Sequence, residues 1–447
     1  MNKKNRLASI LVLLSIIFIA IFAINASADD ATAQTAKEIE NEKHLVKRAA
    51  SVSRGMDENN QVNKGTLEEL LNKYAGSGAT SVTEESSDTL KVTFVGSSRE
   101  YEVNINTGPM IRGGGAGTGL PSTEYTTPYL PTGFTPVSGT NLSTGLVIQD
   151  GLGNQYVWVE VPRTSTVYPT AGVNVTGFSD TDYTKIENDL HTYTSVYRNG
   201  TSYTDTWYSE AQHGFTSADN YNALKKKMLK SVYQNGGFYV GRYEAGTSTA
   251  RASSSDTLTT PVIKANAYPY NFVTNKQAQT LASTKFATGG YTTSLMFGVQ
   301  WDLILKYLET KAVEKGEILA TIQSELNSNS TSWGNYTNNL WTITNTSSKY
   351  AASSAYAWTD GAYGTKASSL SVVLSTGASS EFSKQNISDL AGNVYEWTLE
   401  YTSDTNVPCA SRGGSYYYYG NNYPASYRDI GTTTDASRSS GFRVSLY

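Results

Sequence analysis

The chain of 447 residues is long enough for two or three domains, or for one large domain with additions. Its formal net charge is -4, from 35 Lys and Arg against 39 Asp and Glu, so it lacks the basic excess typical of nucleic-acid binders. Tyr occurs 32 times, whereas Cys occurs once, at Cys409, and His three times, at His44, His191 and His213. This composition excludes an intrachain disulfide scaffold, a cysteine zinc site and an iron–sulfur centre.

Residues 1–28 have the pattern of an export signal. Three basic residues within the first six precede an apolar and small-residue run from Leu7 to Ile24, and Ala26-Ser27-Ala28 offers a small-x-small cleavage site. The 18-residue run is at the short end of what spans a bilayer, so an uncleaved membrane anchor is the alternative. Both interpretations predict an exported protein, secreted or at the cell surface, that meets a membrane only through this segment if it is uncleaved.

Residues 29–107 are predicted to form a small α+β module. A helix is predicted over 30–54, and a capping-box pattern at Thr66 begins a second, short helix. Two strand-like runs, Thr89–Val95 and Tyr101–Ile105, are predicted to form a hairpin. The arrangement resembles the pilin-like N-terminal modules of some exported bacterial proteins. Pilus assembly is not implied, because the first hydrophobic segment lacks the Gly-initiated, Glu-containing prepilin start.

The composition changes twice after this module. Residues 108–128 are rich in Gly, Pro and Thr, which predicts a flexible linker. From 129 to 447 the chain is dominated by Tyr, Thr, Ser, Asn and Gly, which predicts an α+β domain whose core is rich in aromatic side chains. Its clearest elements are two helices and two strands, predicted over Ala218–Gln234, Val299–Lys315, Gln155–Val161 and Gly237–Glu244.

Three short motifs follow one another in the last third of the chain. They are Asp389–Thr398 (D-L-A-G-N-V-Y-E-W-T), Arg412–Ser415 (R-G-G-S) and Gly441–Val444 (G-F-R-V). Together with the upstream runs Phe238–Glu244 and Gln300–Asp302, this ordered set resembles the formylglycine-generating-enzyme family, also called the sulfatase-modifying-factor domain. The resemblance covers roughly residues 130–447 and implies a variant of the C-type lectin-like fold.

The resemblance also shows which chemistry is missing. The family's enzymes oxidise a sulfatase cysteine to formylglycine with two copper-binding cysteines just after R-G-G-S, which would fall near Tyr418 and Tyr423. Related sulfoxide-forming members use an iron site of clustered histidines and Glu. No cysteine follows Cys409, and only His191 and His213 lie in this domain, so no copper or iron is expected. The domain is therefore predicted to be catalytically inactive; an enzyme of the same family with an unrecognised oxidation chemistry is the alternative.

A structural calcium is the one cofactor that the resemblance implies. The family binds it through a side-chain oxygen, two backbone carbonyls and a Glu. The matching positions here are Asp389, Gly392, Val394 and Glu396. Carboxylate and carbonyl oxygens suit this hard cation. The alternative is that the two carboxylates only cap turns or pair with Arg412 or Arg443. The lectin sugar–calcium motifs Glu-Pro-Asn, Gln-Pro-Asp and Trp-Asn-Asp do not occur.

Residues 416–440, between the last two motifs, have the composition of antibody binding loops. Tyr, Ser, Gly and Asn make up 14 of these 25 residues; Tyr offers broad contact with few torsions to freeze, and the small polar residues adapt their hydrogen bonds. Strand alternation would expose about half of the four tyrosines that open the segment. The predicted ligand-binding residues are Tyr416, Tyr417, Tyr418, Tyr419, Asn421, Asn422, Tyr423, Tyr427, Asp429, Ile430, Thr432, Asp435, Ser437, Arg438 and Ser439.

The same fold is the scaffold of variable proteins made by diversity-generating retroelements, which mutate adenines just before a Gly-Phe-Arg ending. Asn codons mutated in this way keep a pyrimidine in the third position and cannot specify Lys, Glu, Gln, Met or Trp. None of these five residue types occurs in 416–440. The sequence therefore predicts a surface display or adhesion protein that binds an unknown protein or cell-surface ligand and no nucleic acid. A purely structural surface protein with an ordinary polar loop is the alternative.

Overall fold

The computed structural model describes the C-terminal part of the chain almost completely and the N-terminal part in pieces. The described residues are Glu42, Val46, Ala49 and the ranges 64–75, 80–86, 89–94, 100–104, 112–113, 128–175, 177–198, 203–284, 291–352 and 356–447. The signal or anchor predicted for 1–28 lies outside them. The chain divides into two compact units, 1–107 and 108–447, and each is described by itself below.

In the N-terminal unit the structure describes one helix in full and a three-stranded antiparallel sheet. Glu42, Val46 and Ala49 are also helical, and the rest of the helix predicted over 30–54 lies outside the described residues. The helix, α1, spans Lys64–Ala75, and the strands are β1 (Thr80–Ser86), β2 (Thr89–Phe94) and β3 (Glu100–Asn104), in the order β1-β2-β3. The predicted hairpin corresponds to β2 and β3. The first strand, T-S-V-T-E-E-S, was not predicted because it carries a single apolar residue. The resemblance to pilin-like modules stays a prediction.

The described residues of the C-terminal unit contain five helices. They are α2 (Asp180–Tyr193), α3 (Ala218–Asn235), α4 (Asn275–Thr284), α5 (Gly298–Glu314) and α6 (Leu319–Asn327). The strands are β4 (Arg112–Gly113), β5 (Tyr129–Leu130), β6 (Phe134–Pro136), β7 (Val147–Asp150), β8 (Gln155–Glu160), β9 (Tyr203–Thr204), β10 (Gly237–Gly241), β11 (Gly246–Thr247), β12 (Tyr268–Pro269), β13 (Thr293–Ser294), β14 (Thr342–Ile343), β15 (Lys349–Ala351), β16 (Thr359–Asp360), β17 (Gly364–Thr365), β18 (Val373–Leu374), β19 (Ser383–Lys384), β20 (Ile387–Ser388), β21 (Tyr395–Thr402), β22 (Cys409–Arg412), β23 (Arg428–Gly431), β24 (Ser440–Phe442) and β25 (Ser445–Leu446). This mixture of helices and mostly antiparallel strands agrees with the predicted α+β class.

A six-stranded sheet joins early and late parts of the unit, in the order β13-β25-β10-β8-β7-β6. Strand β10 pairs antiparallel with β8 and with β25, so Tyr239 lies opposite both Trp158 and Leu446. All three side chains are buried, which explains why these strands read as nearly continuous apolar runs. Two residues of the predicted linker, Arg112–Gly113, form β4 and pair in parallel with β5. The rest of the linker, up to residue 127, lies outside the described residues, and the linker stays a prediction.

A second sheet brings the three motifs together. Its order is β23-β22-β21-β24, and β9 also pairs with β21. Strand β21 runs antiparallel to β22 and parallel to β24, so Glu396 of the first motif lies opposite Arg412 of the second and Gly441 of the third. The segment that follows R-G-G-S leaves the end of β22 and returns as β23. It is therefore supported at both ends by the same sheet.

Helix α5 packs in the core, and its start is fixed by a buried carboxylate. Asp205 accepts hydrogen bonds from the N–H groups of Gly298 and Val299 at 2.7 and 2.9 Å, which satisfies two orphan donors of the first turn. A Cβ at Gly298 would overlap the Glu400 carboxylate, so this position needs glycine. The two predicted helices are present as α3 and α5, with ends shifted by one residue. Within the described residues, no helix is long and apolar enough to cross a membrane.

Candidate binding surface

A buried network of four charged side chains supports the chain on either side of the tyrosine-rich segment. The Arg412 guanidinium lies 2.7 Å from the Asp302 carboxylate and 3.2 Å from that of Glu400. Arg428 contacts the same two carboxylates at 2.6 and 3.1 Å. Two charges of each sign balance, as full burial requires. Burial alone would raise the pKa of Glu400, but Arg428 and Arg412 hold that pKa below its usual value.

Gly413 and Gly414 turn the chain out of β22 towards the surface. Their φ angles are +87° and +75°, a left-handed backbone that favours glycine. A Cβ on Gly414 would overlap the carbonyl oxygen of Tyr423, and one on Gly413 would lie 2.7 Å from the carbonyl oxygen of Leu390. Both glycines of R-G-G-S are therefore required by space as well as by backbone conformation.

Residues 416–427 are called the tyrosine segment below, and three of the four tyrosines that open the segment are exposed. Tyr417–Tyr419 are 50%, 37% and 49% exposed, whereas Tyr416 is 3% exposed. The Tyr416 ring belongs to a small apolar cluster with Val373 and Val394, which corrects its prediction as a ligand-contact residue. The expected strand alternation does not occur, because the segment consists of turns.

The other predicted contact residues differ in how accessible their side chains are. Five are exposed: Asn421, Asn422, Ile430, Asp435 and Ser437. Six are half-buried: Tyr423, Tyr427, Asp429, Thr432, Arg438 and Ser439. Apart from Tyr416, each predicted contact residue therefore keeps part of its side chain in solvent.

The backbone of the tyrosine segment is held by the loop that follows α6. The Ser330 N–H donates to the Gly420 carbonyl at 3.0 Å, and the Gly420 N–H donates to the Asn338 side chain at 3.1 Å. The Thr337 N–H donates to the Tyr418 carbonyl at 2.9 Å. These bonds use main-chain atoms of the segment only. The main chain is therefore fixed without constraining the identity of the exposed side chains.

Tyr418, Tyr423 and Tyr427 form a continuous row of rings. Their centroids are 4.3 Å apart for the first pair and 4.6 Å for the second, and the buried Tyr395 of β21 lies 5.9 Å from Tyr418. The resemblance assigned the family's two cysteines to positions near Tyr418 and Tyr423. These two side chains are in contact here, with their ring centroids 4.3 Å apart.

Residues 432–439 form a second arm beside the tyrosine segment. The Arg438 guanidinium lies 5.6 Å from the centroid of the Tyr417 ring, a cation–π contact that joins the two parts. The Asn271 side chain donates to the Arg438 carbonyl at 2.8 Å, so this arm is also anchored through its main chain. The tyrosine segment and the second arm together are called the binding surface below.

The predicted calcium ligands lie in and just before β21, in the interior of the unit. Glu396 is paired with Arg443, whose Nε lies 3.1 and 2.9 Å from the two carboxylate oxygens, and this pairing is the alternative that the sequence left open. Asp389 accepts a hydrogen bond from a backbone N–H at 2.6 Å. The Val394 N–H donates to a third buried carboxylate, Glu244, at 3.1 Å.

The cluster around Arg443 contains more acid than base. Burial raises the pKa of Glu244 well above its usual value, that of Asp389 to about 7, and that of Glu396 despite the opposing Arg443. Gly392 has a φ of +76° and packs against a neighbouring backbone. In the part of the chain that the structure describes, no three His, Cys, Asp or Glu side chains are arranged to hold a metal ion. Calcium binding at the four positions stays a prediction.

The histidines and the cysteine of this unit have structural surroundings. His213 Nδ1 lies 2.7 Å from the Asn275 side-chain oxygen, and burial lowers the pKa of His213 to about 4. Burial also lowers the pKa of His191, in the last turn of α2, to about 4. The Cys409 thiol donates to the Ala211 carbonyl, and burial raises its pKa to about 12. A protonated, buried thiol is a poor nucleophile and a poor metal ligand.

A pocket of about 470 Å³ opens beside the tyrosine segment. It is lined by Tyr203, Asn327, Ser328, Asn421, Asn422, Pro424, Ser426, Tyr427 and Arg428. Sequence analysis identified Asn421, Asn422 and Tyr427 but not the wall contributed by β9 and the end of α6. No local signal marks that wall, because Tyr203 is more than 200 residues from the segment that it faces.

Residues 321–446 match the family model described as the sulfatase-modifying factor enzyme 1-like domain. The match includes all three late motifs, the tyrosine segment and the second arm. The chain therefore carries a sulfatase-modifying-factor-like domain over these residues, which agrees with the resemblance and is consistent with the predicted C-type lectin-like fold. The earlier part of the resemblance, from about 130 to 320, lies outside the match. No curated protein and no solved structure matched the chain.

Proposed function

We propose that the chain is an exported, surface-associated ligand-binding protein of the display or adhesion type. The observation that carries the proposal is the set of exposed rings, Tyr417–Tyr419, on a main chain fixed by the loop after α6. Ordering such a surface on binding costs little conformational entropy, and Tyr provides a large, partly polar contact area. The partner is a protein or another cell-surface ligand, and the negative net charge speaks against nucleic acid.

Binding to whole cells tests this proposal directly. The full chain, fluorescently labelled, should bind candidate host or neighbouring cells saturably, and the double variant Tyr417→Ala/Tyr419→Ala should lose at least tenfold in affinity. The matched control is Leu152→Ala/Ile318→Ala, since both residues are 71% exposed and lie outside the binding surface. Equal binding by both variants and the unmodified chain would favour the purely structural alternative.

In this proposal the domain does not catalyse formylglycine formation. The chain has no cysteine after Cys409, and the resemblance puts the two active-site cysteines of the related enzymes near Tyr418 and Tyr423. A phenol cannot supply the soft thiolate that copper(I) prefers. The alternative is tested by incubating the full chain with a sulfatase peptide and copper and following the cysteine by mass spectrometry. Turnover above a protein-free control would overturn the assignment as a binding protein.

We further propose that the binding surface is diversified by a retroelement. Its exposed side chains can change without loss of the main-chain bonds described above, and its composition lacks the five residue types that mutated Asn codons cannot specify. The test is on the DNA. A nearby near-copy of the codons for 410–447, differing at sites that are adenines in the copy, is expected; its absence from the surrounding genome would contradict the proposal.

We also propose a structural calcium ion at Asp389, Gly392, Val394 and Glu396, the four positions that the resemblance implies. The two carboxylates and the two backbone carbonyls are oxygen ligands of the kind that this hard cation prefers. Chelation with EGTA should therefore lower the melting temperature of the protein, and calcium but not magnesium should restore it. An unchanged melting temperature would contradict the calcium proposal and leave Glu396 paired with Arg443 as the structure shows it.

A further inference from the structure

The half-open pocket beside the tyrosine segment indicates the chemistry of the ligand. Its volume of about 470 Å³ falls within the ~300–1,000 Å³ usual for small-molecule sites. We propose that this pocket binds one unit of an uncharged, hydroxyl-rich ligand, namely a neutral sugar residue of a glycan. The proposal rests on the proposed function, because it assigns a subsite of the same binding surface and names its ligand class.

The pocket offers no free charge, although an arginine lines it. The Arg428 guanidinium is bound by the carboxylates of Asp302 and Glu400, and its remaining Nη1 donates to the Tyr197 carbonyl at 2.9 Å. No carboxylate is among the nine lining residues. A phosphate, sulfate or carboxylate would therefore find no available cation, and an amine no available anion.

The end of helix α6 gives the pocket a polarity that suits hydroxyl donors. The helix ends at Asn327, and its C-cap residue Ser328 also lines the pocket. The carbonyl groups at a helix C-terminus carry a partial negative charge, which repels anions and attracts hydrogen-bond donors. This feature adds to the neutralised Arg428 in disfavouring an anionic ligand.

Several side chains that line the pocket can both donate and accept hydrogen bonds. The amides of Asn421 and Asn422 and the hydroxyl of Ser328 can each donate and accept, whereas the Ser426 hydroxyl already donates to the Asn327 side chain at 2.6 Å. A sugar hydroxyl also donates and accepts, so adjacent hydroxyls on one ring match such a set. An apolar ligand that covered the Asn422 amide or the Ser328 hydroxyl would remove it from water without offering a hydrogen bond, at a cost of about 1–3 kcal/mol for each one buried.

Two half-buried tyrosines complete the lining. The Tyr203 ring stands at one side, with its hydroxyl donating to the Arg428 carbonyl at 3.3 Å, and Tyr427 stands in the row of rings described above. Flat aromatic faces with a polar tip suit the C–H face of a pyranose ring. Each of the strands β9 and β23 contributes one residue only. The pocket therefore lacks the length of open strand edge by which extended peptides are usually bound.

Saturation-transfer NMR on the full chain tests the proposal with defined probes. These are the methyl glycosides of glucose, galactose, mannose and N-acetylglucosamine, methyl glucuronide as the anionic analogue, and N-acetylglycine N-methylamide as the peptide analogue. At least one neutral glycoside should bind, and the glucuronide and the amide should bind at least tenfold more weakly. Asn422→Ala and Tyr427→Ala should each weaken the glycoside at least tenfold, whereas Leu152→Ala should not change it.

The outcomes separate this inference from the proposed function. Loss of cell binding in Tyr417→Ala/Tyr419→Ala without binding of any neutral glycoside would overturn the sugar assignment and leave the function intact. Preference for the peptide analogue or the glucuronide would also overturn it, as would glycoside binding unaffected by Asn422→Ala and Tyr427→Ala. Because Asn422 is exposed, its variant should fold, so a negative result with this variant cannot be attributed to unfolding.

Discussion

Arg428 lies inside the tyrosine-rich stretch but serves the scaffold. Its guanidinium contacts Asp302 and Glu400 in the buried network, and its backbone in β23 lies opposite that of Arg412 in β22. Removing one partner of a buried ion pair costs about 3–5 kcal/mol, because the other charge is left uncompensated. The residues between 416 and 440 therefore divide into those that can change freely and those that the interior requires. Composition alone cannot make that division.

Gly414 provides a test of how tightly the R-G-G-S turn is built. Gly414→Ala should destabilise the protein by about 1–3 kcal/mol more than Gly139→Ala. Both glycines have nearly the same positive φ, so both variants incur the left-handed strain of about 1 kcal/mol, but a Cβ at Gly139 meets only open space. Denaturant unfolding measures the difference. Equal losses for the two variants would show that the overlap with Tyr423 is relieved by movement.

His213 should make the protein less stable in mild acid. Its folded-state pKa of about 4 lies below the ordinary value near 6.5, so the unfolded chain binds the proton more readily. The stability from His213 is present above pH 6.5 and is lost as the pH falls towards 4, by about 2 kcal/mol between pH 7 and pH 5. His191 shifts in the same direction, so the measurement compares His213→Asn with the unmodified chain. An unchanged pH dependence in the variant would contradict burial of a neutral imidazole.

At the scale of elements, helices with a clear apolar stripe were predicted and polar ones were not. Helices α3 and α5 have such a stripe, whereas α2 has only Ile186 and Leu190 among its buried apolar residues. The start of α2 does carry a sequence signal, because Ser179 and Asp182 form a capping box. Periodicity finds only elements that bury a wide apolar face, and a domain rich in Tyr, Ser and Thr builds others from capping and hydrogen bonds.

The tyrosine segment shows a second limit of sequence-based prediction. Its composition indicated a contact surface, but its conformation as turns depends on hydrogen bonds from the loop after α6. The sequence of the segment itself does not show that this loop is its partner. The pocket likewise needs Tyr203 and the end of α6. Long-range partners of this kind are set by the fold as a whole. The motifs could locate the site, but they could not give its shape.

Removing one hydrogen bond between the loop after α6 and the tyrosine segment should increase the mobility of the segment more than it lowers the stability of the whole protein. Asn338→Ala removes the acceptor of the Gly420 N–H and a bond to the Thr331 hydroxyl. Amide hydrogen exchange should become faster across 417–423, while global unfolding changes by about 1 kcal/mol or less, since the site is partly exposed. Asn188→Ala, on the exposed side of α2, is the control. Uniform exchange across the domain would contradict local anchoring.

At the scale of the molecule, the two units have separate cores. Val46, Leu71 and Val92 belong to a cluster confined to the N-terminal unit, and the other buried clusters lie wholly within 108–447. The larger unit should therefore fold without the smaller one. By calorimetry, residues 108–447 alone should melt within about 2 °C of the corresponding transition of the full chain, equivalent to under ~1 kcal/mol. A larger fall would show that the units stabilise each other.

The position of β25 has a consequence for how the gene can change. Residues Gly441–Leu446 follow the tyrosine segment and the second arm, and they supply Arg443 to the interior and a strand between β13 and β10. Any insertion or deletion in the codons for 416–440 that shifts the reading frame would replace all of them. Such a chain would lack Arg443 and β25 and could not complete its core, whereas a chain with substitutions at the exposed positions keeps both. Folding of the domain therefore requires that the reading frame be kept through the codons for 416–440.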